Sequence, residues 1–88
     1  PMFEWSPVDG AASYVLQVAY DDKYTNLAFA AVTTAHVKYM PVTKLTTEKL
    51  YYWRVAIRDK AGNLGPFNDA TILVGTPRSR FFLPVISR

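Results

Sequence analysis

The 88-residue chain has no cysteine and a single histidine, His36. Without thiols it can form neither a disulfide framework nor a thiolate metal site, which leaves its redox compartment open. One imidazole cannot supply a histidine metal cluster, and no histidine-containing triad is expected either. Charge is sparse at 19% of residues, and three of the ten basic side chains, Arg78, Arg80 and Arg88, lie near the C-terminus. Residues 1–77 therefore carry seven basic and seven acidic side chains, a neutral body with a basic tail. A nucleic-acid module carries its basic face on the folded body, among stacking aromatics, and that footprint is missing. No apolar run approaches the ~20 residues of a membrane helix, so no membrane span is expected. No GxGxxG, GxSxG or P-loop pattern occurs, and no cofactor is expected.

What is present is apolar and aromatic. Half of the residues are hydrophobic and 15% are aromatic, a balance suited to one compact, sheet-rich domain. The strongest pattern is Leu50 to Asp59, where Tyr51, Trp53, Val55 and Ile57 alternate with Tyr52, Arg54, Ala56 and Arg58. A period of two predicts a central strand with one buried face. Met2 to Ser6 places Phe3 and Trp5 on one side, and Pro7 to Ala12 reads as a turn around Asp9-Gly10. Ser13 to Tyr20 puts Tyr14, Leu16, Val18 and Tyr20 on one face. Leu27 to Val32 reads as a weaker strand, and Ala35 to Met40 as a strand in which Ala35, Val37 and Tyr39 alternate with His36, Lys38 and Met40. Leu45 reads as an apolar plug beneath a connection. Phe67 to Val74 is a further strand that admits two facings, Ile72 and Val74 inward or Thr71 and Leu73 inward. Short apolar-patterned segments separated by turn signals predict an all-β, antiparallel two-sheet sandwich.

The stretches FEWSPVDGAASYVLQV, LTTEKLYYWRV and DKAGNLGPFN resemble the fibronectin type III family, in the form common in bacterial extracellular proteins. The resemblance covers roughly residues 3 to 68. It implies an immunoglobulin-like sandwich with strand B at Trp5, C at Ser13 to Tyr20 and C′ at Leu27 to Val32. Strand E falls at Ala35 to Met40, F at Leu50 to Asp59 and G at Phe67 to Val74. Tyr51 looks like the family's tyrosine-corner residue, its hydroxyl tied to the backbone near Leu45. The core implied is Tyr14, Leu16, Val18, Leu45, Tyr51, Trp53, Val55 and Ile57. An extracellular or cell-surface location follows from the resemblance alone. No Arg-Gly-Asp tripeptide occurs to carry the family's integrin-binding mode.

The chain departs from the family at both ends. No residues precede strand B to form strand A, and Gly75 to Arg88 extends beyond strand G. In that extension Phe81, Leu83 and Val85 alternate with Phe82, Pro84 and Ile86, an edge-strand pattern that tolerates one proline. Residues 1–75 thus read as an incomplete sandwich and 76–88 as a candidate donor strand. Strand A runs antiparallel to B, and a tail leaving G reaches its own A slot in that direction only by travelling the length of the domain. The expectation is therefore donation in trans. Phe81, Phe82, Leu83, Val85 and Ile86 would insert beside Phe3 and Trp5 of a neighbouring copy, giving a non-catalytic head-to-tail homopolymer. The alternative is a spacer, or a carbohydrate- or protein-binding module, from a larger secreted protein; closure in cis is the third arrangement.

Tyr52, Arg54 and Arg58, with Gln17 nearby, are the candidate binding residues for a cell-surface or polysaccharide partner, although cross-strand packing accounts for the same pattern. His36 reads as solvated. Asp21 and Asp22 read as loop-tip carboxylates, with Asn26 the only further oxygen ligand near enough for a weak calcium contact.

Overall fold

The computed structural model describes residues 2–41, 45, 48–73 and 80–83. They form seven strands and no helix, arranged in two sheets. β1 (Met2–Trp5), β4 (Lys38–Tyr39) and β7 (Arg80–Leu83) make one sheet in the order β4-β1-β7. β2 (Ser13–Ala19), β3 (Val32–Thr34), β5 (Leu50–Arg58) and β6 (Asn68–Leu73) make the other, ordered β3-β2-β5-β6. All pairings are antiparallel except β1 with β7.

The core lies between the sheets. Phe3, Trp5 and Leu83 enter from the three-stranded side, and Tyr14, Leu16, Val18, Tyr51, Trp53, Val55 and Ile57 from the four-stranded side, with Leu45 beside them. β5 is buried because β2 pairs with one of its edges and β6 with the other, so its alternating aromatic and β-branched residues meet the core on one face. Phe3 meets Trp53 edge to face with ring centroids 5.0 Å apart, tying the two sheets together. The indole Nε1 of Trp5 and of Trp53 is buried with no hydrogen-bond partner among the described residues, so the two rings serve the core by their volume.

Val15, Ala19 and Ala56 are also buried, although they occupy the face of β2 and β5 turned away from the core. On β6 the register sets Ile72 opposite Tyr51 and Thr71 opposite Tyr52.

The turns follow local chemistry. Val8 to Ala11 closes through a bond from Ala11 N to Val8 O, with Gly10 at φ 85°. A second tie holds the same turn, since Val8 N donates to the Tyr14 hydroxyl at 3.0 Å. The 59–63 turn closes through Gly62 N to Asp59 O and Asp59 N to Asn63 O, with Gly62 at φ 89°.

Two strand expectations are corrected. The run Leu27 to Val32 touches β2 through the bridge Ala19–Leu27 and the bond from Ala28 N to Val18 O, and only its last residue enters a strand, Val32–Thr34, which is the one beside β2. The alanines of the run give a sheet little to grip, whereas Val32, Thr33 and Thr34 are β-branched. Ala35 to Met40 shortens to Lys38–Tyr39 because the chain bends at residues 35–37, where His36 N donates to Thr34 Oγ1 at 3.1 Å.

Within the single chain, Arg80–Leu83 lies parallel to β1, with Met2 opposite Arg80, Phe3 opposite Phe81, Glu4 opposite Phe82 and Trp5 opposite Leu83. Connectivity explains the direction. β6 runs antiparallel to β5, so a short link from its end returns the chain along β1 immediately, whereas antiparallel entry requires crossing the whole domain first. Val85 and Ile86 lie outside the described residues, as does most of the backbone around Leu45 to which the Tyr51 hydroxyl is expected to bond.

Candidate functional site

Two places gather the residues to which the sequence points. The first is the seat beside β1. Phe3 and Trp5 are fully buried there, and the strand opposite brings Phe81 onto Phe3, ring centroids 5.3 Å apart, while Leu83 is buried with the core. On its other side β1 is held by β4, and Trp5 N donates to Val37 O at 2.9 Å. The seat is thus an apolar groove one strand wide, with backbone groups along its floor and room for bulky side chains at alternate positions.

The second place is the outer face of the four-stranded sheet. The Arg54 guanidinium lies 4.0 Å from the ring centroid of Tyr24 and equally 4.0 Å from that of Phe67, sandwiched between them. Its Nε donates to Gln17 Oε1 at 2.7 Å, a cross-strand bond at a directly paired position. Arg58 turns to the pole of the domain, where Nη1 donates to Gly62 O at 2.9 Å. Tyr52 is half-buried opposite Ala19. Arg54 and Arg58 are therefore each engaged by the domain's own side chains and turns, and do not converge on one point. Tyr24 is the participant that sequence reasoning missed. It stands in the 20–26 loop at φ 58°, a conformation no strand pattern reveals.

The carboxylates serve their own loops. Asp21 accepts from Thr25 Oγ1 at 2.5 Å, from Asn26 N at 3.0 Å and from Thr25 N at 3.2 Å. The Thr25 hydroxyl is the leading cause that holds the Asp21 carboxyl below its ordinary range, with the Asn26 amide next. Asp59 accepts from Asn63 N at 2.9 Å and Asn63 Nδ2 at 3.3 Å, and the Asn63 backbone amide is the leading cause that lowers its pKa. Among the described residues no group of three or more metal-binding side chains forms. Gly10, Ile57, Asp59, Asn63, Leu64 and Gly65 surround an open pocket of about 220 Å³, below the usual size of a small-molecule site. His36 is exposed in the bend between β3 and β4. No described helix is long and apolar enough to cross a membrane. Set against known proteins, the chain matches no family model, no curated protein and no solved structure, so the likeness to fibronectin type III domains rests on its own residues.

Proposed function

We propose that this chain is a non-catalytic structural module of an extracellular or cell-surface protein, a fibronectin type III-like sandwich closed by its own C-terminal strand. The observation that carries the reading is the occupied seat beside β1, with Phe81 against Phe3 and Leu83 buried in the core. The neighbour order β3-β2-β5-β6 and the place of β1 beside β4 support the sandwich type. A structural role is supported by the carboxylates, since Asp21 and Asp59 are engaged by their own loops. Arg54, stacked between Tyr24 and Phe67, supports a packing role for the outer face over a sugar-gripping one.

Head-to-tail assembly into a homopolymer would require the same seat for a neighbour's strand, and its occupation in cis favours the closed module. Hydrogen exchange on the dilute full-length chain tests the closure. Protected amides at Phe81 to Leu83 in a monomer are the expected result; unprotected amides there, or long polymers in sedimentation at micromolar concentration, would refute it.

A further inference from the structure

We infer that β7 exchanges between two copies of this chain, each copy seating its Arg80–Leu83 strand on the partner copy's β1 to give a closed, reciprocal pair. The inference rests on the closed-module reading, because it takes the seat seen in cis as the seat used in trans. The occupant of that groove is already defined. It is an extended strand whose first, second, third and fourth residues lie opposite Met2, Phe3, Glu4 and Trp5. A second copy presents the same strand, so every contact that β7 makes with β1 can be remade between chains without loss.

Three features make this strand the one to exchange. It stands at the edge of its sheet, in the order β4-β1-β7, so nothing must be unpaired on its far side. It is the last described strand, joined to β6 by the six residues 74–79, which include Gly75 and Pro77. Between Leu73 and Arg80 a stretched link spans at most about 25 Å, enough to cross to an adjacent copy. It pairs through four residues in parallel, the less stable arrangement per residue, so release is easier than for β2, β5 or β6.

Closure into a pair follows from the symmetry. Once one strand has crossed, the second exchange is intramolecular and fills the remaining seat, whereas a growing chain leaves an empty seat and a loose strand at its ends.

The chain has no native cysteine, so an engineered pair reports the geometry without ambiguity. Met2 and Arg80 are directly opposed on the parallel strands, a spacing a disulfide accepts. Met2→Cys and Arg80→Cys single variants are mixed, concentrated to millimolar and then oxidised. The mixed disulfide should exceed the like-with-like products severalfold, and the unmodified chain should show a monomer–dimer equilibrium by sedimentation. The double variant, oxidised while dilute to lock β7 in cis, should remain monomeric at the same concentration. The exchange is overturned if the unmodified chain stays monomeric at millimolar concentration, if the locked variant dimerises equally well, or if species larger than dimers dominate. Failure of the dilute double variant to form its internal disulfide would instead refute closure in cis, so the two readings fail separately.

Discussion

Arg54 shows how a residue that looks available in the sequence is engaged in the fold. Its guanidinium is flat and fits between the rings of Tyr24 and Phe67, while its Nε reaches Gln17. Lysine carries the same charge but has no plane to stack. Arg54→Lys should lower stability by about 1 kcal/mol in urea unfolding, the scale of a half-buried cation–π contact. Asp21 gives a pH prediction with a definite sign. Its folded-state pKa is depressed, chiefly by the Thr25 hydroxyl. Its contribution is therefore complete above the unfolded value of about 3.9 and is lost as pH falls through the lower, folded value. Thr25→Ala should raise the Asp21 pKa toward the ordinary value, as read by NMR titration of the carboxyl, and should flatten the acid limb of stability. Tyr14 carries a tie that periodicity does not reveal, because its buried ring ends in a hydroxyl that accepts from Val8 N. Tyr14→Phe keeps the ring and leaves that amide unmet, a loss of about 1 kcal/mol by thermal or urea unfolding.

Among the elements, β2 and β5 are legible from sequence because their apolar period is long and regular. Both edges of β5 are paired and one of its faces meets the core, so the alternation of Tyr51, Trp53, Val55 and Ile57 agrees with the burial found. β3 and β4 are not legible at their true limits, because two- and three-residue strands are set by what they pair with rather than by their own pattern. The elements differ in how firmly they are held. β7 contributes mainly through Phe81 and Leu83, so Leu83→Ala should cost about 2–3 kcal/mol by denaturant unfolding. Met40→Ala, at a position 62% exposed, should stay within about 0.5 kcal/mol and serves as the control.

At the scale of the molecule, the free energy of opening should fall from the centre of the four-stranded sheet outward. Amide exchange should be slowest in β5, which pairs on both edges, and faster in β7, which pairs on one. The sequence by itself determined the all-β class, the burial of Phe3, Trp5 and the alternating residues of β2 and β5, and the turn at Gly10, since each follows from a local period or a local backbone preference. It also marked the tail as an edge strand of apolar alternation. Only the tertiary structure decided where that strand goes. Direction and partner depend on where β6 ends relative to β1, a relation between elements distant in sequence, and a two-residue alternation reads the same whether a strand is parallel, antiparallel, in its own chain or in another.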